Sequence, residues 1–270
     1  MSEKELISKT PFPQTRHSLA ENLGALGVQK GMVLLVHSSL RRIGWISGGP
    51  VAVVQALMDV VTEEGTIVMP THSGDYSNPE NWRNPPVPRE WVQSIKETMP
   101  AFDPVYTPTR NMGKIVDCFR DFPGVIRSDH PLVSFAAWGK HKKRIVEHHQ
   151  LDYSLGEHSP LGHIYALSGH VLLMGVSYAV NTSFHLAEYR TDIRKEVTQE
   201  SPVRVNGKRE WVIYKDIEYD ESDFETIGAE FEKEGNVKRR IIGLAESRLF
   251  SQREAVDFAV KWFEKKKKNG

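Results

Sequence analysis

Three stretches of this chain share one hydropathy pattern. "MVLLVHSSL" (32–40), "TIVMPTHS" (66–73) and "HVLLMGVS" (170–177) each run through consecutive aliphatic residues and stop on small polar ones. Such runs, with no polar position at every second residue, predict strands covered on both faces. Between the first two lies "GGPVAVVQALMDVVTEEG" (48–65), with apolar residues at helical spacing, Pro50 at the start and Gly65 beyond the end. That segment predicts a helix. Strand, helix and strand make a βαβ unit, so the sheet is expected to be at least partly parallel.

Periodic segments predict further helices near 88–98, 112–121, 139–148, 182–194 and 222–234. "SQREAVDFAVKWFEKKKK" predicts the last one: Ser251 and Glu254 stand in capping-box spacing, and the lysine-rich tail (264–268) suits a helix C-terminus. "VRVNGKREWVIYKD" (203–216) alternates on either side of Asn206-Gly207, a hairpin signal. The expected architecture is an α/β fold: a central mixed, partly parallel sheet flanked by helices, with an antiparallel C-terminal addition. It is read as one domain over 1–270, with 1–14 a polar N-terminal extension. The stretch 74–111, rich in Pro, Asn and aromatic residues, is too long for a simple connection and is expected to wrap a ligand or cover a site.

Composition narrows the picture. Thirty-five basic residues balance thirty-five acidic ones, so no global field draws the chain to nucleic acid or to a membrane surface. The polar start "MSEKELISKTPFPQT" and the lack of a long apolar run lead to the expectation of a cytoplasmic protein. The single cysteine, Cys118, excludes an intramolecular disulfide and reads as a small buried hydrophobe. Monomer and homodimer both stay open.

In open α/β sheets, ligands bind beyond the carboxyl ends of the strands. Here those ends carry His37-Ser38-Ser39, Thr71-His72-Ser73 and Gly175-Val176-Ser177. The competing reading is that the hydroxyls merely cap helices. Arg41 and Arg42 follow the first strand, and Arg110 and Lys114 flank "TPTRNMGK" ahead of a helix, an arrangement suited to phosphate. No P-loop or G-x-G-x-x-G occurs, which leaves nucleoside triphosphate and nicotinamide chemistry unsupported. Without H-E-x-x-H or paired Cys/His spacing no metal is expected, and without G-x-S-x-G an ordinary serine hydrolase is disfavoured. In "NTSFHLAEYR" (181–190), His185 and Glu188 are three residues apart, on one face if the segment is helical. His185 begins that helix straight after a strand end, and is the leading candidate for acid–base work.

Six segments in order resemble the aminoglycoside 3-N-acetyltransferases, the antibiotic N-acetyltransferase family, and its Bacillus-type members in particular. They are "VHSSLRRIGWISGGPVAVVQAL" (36–57), "EGTIVMPTHS" (64–73), "YTPTRNMGKI" (106–115), "RSDHPLVSFAAWGK" (127–140), "LGEHSPLGHIY" (155–165) and "TSFHLAEYR" (182–190). The resemblance covers about 15–260. It implies a fold distinct from the GCN5-like acetyltransferases, and acetyl transfer from acetyl-coenzyme A to an amine, the 3-amino group of a 2-deoxystreptamine ring in the first instance. It also implies that coenzyme A is held by Ser38, Ser39, Leu40 and Arg41, with Thr107, Thr109, Arg110, Met112 and Gly113. His37 and Thr71, at the strand tips, complete the expected cofactor rim. The family's base falls on His185, and its partner carboxylate on Glu188.

The residue types suit that chemistry. An amine attacks a thioester only as the free base, and a histidine near pKa 6.5 accepts its proton without a metal. Ser38, Ser39 and Thr182 are the candidate hydrogen-bond donors to the oxygen that gains charge. Asp75, Glu157 and Glu188 are the carboxylates expected to suit a polycationic acceptor, and Glu157 competes with Glu188 as the group that orients His185. Acceptor choice is expected to reside in the 74–105 loop. Three alternatives remain: a different small amine such as an aminophosphonate, a non-catalytic coenzyme A-binding member, and a hydrolase using a rim serine.

Overall fold

The computed structural model describes residues 3–269, so the first two positions of the expected N-terminal extension lie outside the described residues. The strands are β1 (Val33–Ser38), β2 (Thr66–Pro70), β3 (Ile126–Arg127), β4 (Phe135–Gly139), β5 (His170–Met174), β6 (Glu196–Val205), β7 (Lys208–Ile217), β8 (Lys238–Ile242) and β9 (Ala245–Ser251). Seven form one sheet in the order β3-β4-β2-β1-β5-β9-β8, and β6 and β7 form a separate ribbon. β1 runs parallel to β2 and to β5, whereas β4, β9, β3 and β8 pair antiparallel with their neighbours. The mixed sheet follows from the strand pairings, and the three long apolar runs form its middle.

Side chains alternate across the sheet, which explains why those runs are apolar throughout. Leu34, Val36, Ile67, Met69, Leu172 and Met174 pack with the helices Arg16–Leu26, Gly49–Val61 and Lys114–Arg120. Val33, Leu35, Val68, Val171 and Leu173 point the other way, into a layer that includes Phe184, Ile227, Val256 and Phe263 from the helices Ser183–Tyr189, Phe224–Glu234 and Gln252–Asn269. β1 is therefore buried on both faces and paired on both edges. No helix among the described residues is long and apolar enough to cross a membrane.

The expected helices are present but shorter. The segment 88–98 is a 3₁₀ turn, Arg89–Trp91, followed by Val92–Thr98. The segment 112–121 contributes Lys114–Arg120, 139–148 contributes Lys142–Val146, and 222–234 contributes Phe224–Glu234. The helix expected over 182–194 is Ser183–Tyr189, because the Thr191 hydroxyl donates to the carbonyls of Ala187 and Glu188, at 3.2 and 3.1 Å. Ser251 Oγ accepts from the Glu254 amide at 3.3 Å as the last helix starts. Gly65 serves the sheet rather than the helix end: a Cβ there would meet the Met32 carbonyl oxygen at 2.5 Å, and one on Gly139 would meet the Gly65 carbonyl oxygen at 2.2 Å. The hairpin turns at Asn206-Gly207, both at positive φ, as the sequence expects.

The chain before the core carries a helix, Glu3–Lys9, and pairs through Gln14 with Ile46. The Pro-rich stretch is tied to the β6–β7 ribbon. Phe102 N–H donates to the Pro202 carbonyl at 2.8 Å, Arg209 Nε donates to the Met99 carbonyl at 2.6 Å, and Lys96 pairs with Glu200 at 2.9 Å.

Candidate active site

The connection from β1 passes over one side of the sheet to β2, while β5 lies on the other side of β1. The carboxyl end of β1 is thus a point where the winding reverses, the place where α/β sheets open a crevice. A cavity of about 560 Å³ lies there. Val36, His37 and Ser38 line it from β1, Pro70 from the end of β2 and His72 from the loop after it, Asn111 and Met112 from the T-P-T segment, and Val176, Thr182 and His185 from the chain after β5. Tyr219, Glu221 and Phe224 close it from the segment after the ribbon. A larger cleft of about 980 Å³ lies against the last helix, lined by Glu230, Glu234, Lys261 and Trp262 among others, and holds no histidine.

His185 is 4% exposed and Glu188 fully buried, one turn apart. The ring Nδ1 lies 2.6 Å from Glu188 Oε2. A carboxylate oxygen only accepts, so Nδ1 carries the hydrogen and the neutral ring keeps its lone pair on Nε2. Glu221 Oε1 stands 3.6 Å from that Nε2. The ring is fixed by the edge of Phe224, at 4.9 Å between centroids, and by Tyr219 at 5.2 Å. Burial pulls the imidazole pKa down, but the interactions with Glu188 and Glu221 outweigh it and hold the ring above its ordinary 6.5. Glu221 is lowered in return, chiefly by His185 and against its own partial burial.

The other two cavity histidines differ in kind. His37 has no carboxylate partner, and burial pushes it down to about 4. Its Nε2 lies 3.3 Å from the Thr182 hydroxyl. His72 falls to about 3, through burial first and then the proximity of His185, His37, His149 and Arg127. Both are neutral near pH 7. His72 Nε2 and Ser38 Oγ, atoms of two lining residues, are buried without a hydrogen-bond partner among the described residues.

Of the residues expected from the sequence, His37, Ser38, Met112, Thr182 and His185 line this cavity, and Glu188 stands behind His185. Ser39 and Leu40 begin the short helix Leu40–Ile43, where Arg41 is exposed and makes no ion pair among the described residues. Gly113 precedes the helix Lys114–Arg120 with φ of 91°. Three threonines are engaged elsewhere. Thr71 Oγ1 accepts from Arg127 Nε at 3.1 Å, Thr107 Oγ1 accepts from the Asp103 amide at 2.9 Å, and Thr109 donates to Asp117 at 2.7 Å. Asp75 is paired with Arg110, and Glu157 with Arg190 at 2.5 Å, so it is Glu188 and Glu221 that flank the imidazole. The cavity lining draws on no residue of the 74–105 loop. Glu221, Tyr219 and Phe224 went unnoticed in the sequence: "EYDESDFE" (218–225) is an acidic run with no periodicity to single out one carboxylate.

Known proteins share this arrangement of chain. The profile described as aminoglycoside 3-N-acetyltransferase matches residues 35–264. The SPbeta prophage-derived aminoglycoside N(3')-acetyltransferase-like protein YokD of Bacillus subtilis is 54% identical over 96% of both chains. Its crystal structure superposes with a TM-score of 0.98 at 52% identity, covering 99% of each chain. Aminoglycoside N(3)-acetyltransferase VII of Streptomyces paromomycinus is 34% identical over 98% of this chain and 97% of its own. Among solved structures, AAC-IIIb in binary complex with CoASH superposes with a TM-score of 0.85 at 30% identity, covering 94% of this chain and 98% of that one. AAC-VIa bound to sisomicin gives 0.84 at 29%, covering 94% and 99%.

Proposed function

The chain belongs to the aminoglycoside 3-N-acetyltransferase family, and on that premise we propose that it moves an acetyl group from acetyl-coenzyme A to a substrate amine with His185 as general base. The acceptor class to test first is the 3-amino group of a 2-deoxystreptamine aminoglycoside. One observation carries the reading: a buried imidazole bonded to Glu188 at 2.6 Å through Nδ1, with its Nε2 turned to the cavity.

The chemistry follows from that geometry. Acetyl-coenzyme A supplies an activated acyl carbonyl. A substrate ammonium entering the cavity meets Nε2 and the Glu221 carboxylate on the same side. As the free amine nitrogen bonds to the acyl carbon, His185 takes its proton and Glu188 stabilises the imidazolium that results. The carbon–sulfur bond breaks and the proton passes to the departing coenzyme A sulfur, which leaves as the thiol. Base assistance of this kind is typically worth on the order of 10²–10⁴ in rate. The Ser38 hydroxyl, buried in the lining and without a partner, is free to donate to an oxygen that becomes negative. His37 and His72 remain neutral there, so they add no positive charge to repel a cationic acceptor. Arg41, exposed beside the tip of β1, is the group proposed to meet a phosphate of the cofactor. The relatives solved with CoASH and with sisomicin support both halves of the substrate pair.

The test is thiol release from acetyl-coenzyme A against a panel of aminoglycosides and simpler amines. His185→Ala is expected to fold and bind acetyl-coenzyme A, but to lose at least about a hundredfold in turnover. Wild-type turnover in that variant removes His185 from the mechanism. Turnover confined to small amines moves the acceptor away from aminoglycosides.

A further inference from the structure

Glu188 spends one oxygen on His185. The other, Oε1, accepts from Arg194 Nε at 2.5 Å. The same guanidinium donates through Nη1 to Asp220 Oδ2 and through Nη2 to the Asp220 carbonyl, both at 2.8 Å. Asp220 is the residue before Glu221, which faces His185 Nε2. Arg194 is largely buried, with its guanidinium 5.7 Å from the Phe263 ring of the last helix. It lies beyond the end of the helix that carries His185 and Glu188, and it joins that helix to the loop after the ribbon.

We propose that Arg194 is the positioning residue of this site, clamping Glu188 behind the imidazole and, through Asp220, setting Glu221 in front of it. The catalytic aspect of this inference rests on the acetyl-transfer reading above. A guanidinium fits because it is planar and forked: one edge meets the Glu188 carboxylate while the other nitrogens take a backbone and a side-chain oxygen. A lysine keeps the charge but lacks the fork. The charge also matters, because Arg194 shares Glu188 with His185, so removing it leaves the carboxylate to the imidazolium alone. Other charged or titratable groups face this cluster. They are Asp223, 4.0 Å from Arg194 and paired with Lys266, Tyr219 against the ring, His72 across the cavity, and His37 beyond Thr182.

The experiment follows the His185 imidazole by NMR in ¹⁵N-histidine-labelled full-length protein without substrate, the signal being assigned by its loss in His185→Gln. Acetyl transfer is then measured from pH 5 to 9. In Arg194→Met the His185 midpoint is expected to rise by at least about one pH unit. The acidic limb of kcat/KM should rise with it, and kcat at neutral pH should fall about tenfold or more. Arg194→Lys is expected to keep the midpoint near wild type while kcat falls at least about threefold, since charge survives and geometry does not. An unmoved midpoint in Arg194→Met overturns the proposal. Should that variant fail to fold, wild-type kcat in Arg194→Lys overturns it instead. The NMR titration needs no acceptor, so the two readings fail separately. A shifted midpoint in a protein that acetylates nothing sinks acetyl transfer and keeps the clamp, whereas turnover with an unshifted midpoint sinks the clamp alone.

Discussion

Replacing Glu188 with glutamine tests the acid–base reading at its centre. The amide oxygen still accepts from His185 Nδ1 and keeps the ring's tautomer, while the amide NH2 meets Arg194 Nε, so the charge that stabilises the imidazolium and the bond from Arg194 are lost together. The structure supplies its own scale. His37 and His72 are buried imidazoles with no carboxylate bonded to them, and they sit at about 4 and about 3, whereas His185 is held above 6.5. Glu221 remains 3.6 Å from Nε2, which keeps the variant from falling as far as those two. The expected midpoint lies below 6.5, a drop of at least about one unit, or about 1.4 kcal/mol of lost imidazolium stabilisation. The acidic limb of kcat/KM should move down with it. The plateau should fall about ten- to a hundredfold, because a weaker base takes the amine proton less readily. Thiol release across pH 5–9, with the imidazole signal followed in parallel, reads both quantities. A limb that stays in place, or moves up, refutes the argument that Glu188 sets the basicity of His185. Arg194→Met is expected to shift the same midpoint in the opposite direction, so the pair of variants brackets the cause.

Other outcomes follow from the same geometry. Arg41→Ala should weaken coenzyme A more than its dephospho-analogue, measured by calorimetry; equal losses show that Arg41 reads no phosphate. The low pKa values of His37, His72 and His149 mean that the folded chain binds fewer protons than the unfolded one in mild acid. Stability from these groups is therefore level above about pH 6.5 and lost as pH falls towards 4, each costing on the order of 2 kcal/mol at pH 5. His185 works the other way: its contribution is complete below 6.5 and disappears as pH rises through its raised value. Urea midpoints at pH 7 and 5 measure the balance, and His72→Asn should flatten the acid loss.

The middle of the sheet was readable because β1, β2 and β5 each hold an unbroken aliphatic run, Val33–Val36, Ile67–Met69 and Val171–Met174, and only strands covered on both faces require that. β4 and β8 were not. "FAAWG" is short and mostly small, and "KRRII" is an edge strand whose charged residues face solvent, so neither carries the run or the alternation that marks a strand. At the site, His185 and Glu188 were legible because three residues in a helix are a local distance. Glu221 and Arg194 were not, since they reach the same ring from after the ribbon and from beyond the helix end, contacts that no local spacing encodes. The threonines at 71, 107 and 109 show the converse. None of them lines the cavity, and their hydroxyls hold Arg127, the Asp103 amide and Asp117 in place.

The cavity wall runs from Val36 to Phe224 along the chain, separate stretches that meet only when the whole sheet is assembled. A frameshift or premature stop anywhere before the last of them leaves no partly competent remnant, since the imidazole would lose the loop that faces it. Occupancy is coupled to the entire fold for the same reason. A ligand at a hundred times its dissociation constant should add about 2.7 kcal/mol to global stability, and a melting-curve screen of amines would register it before any turnover assay is built.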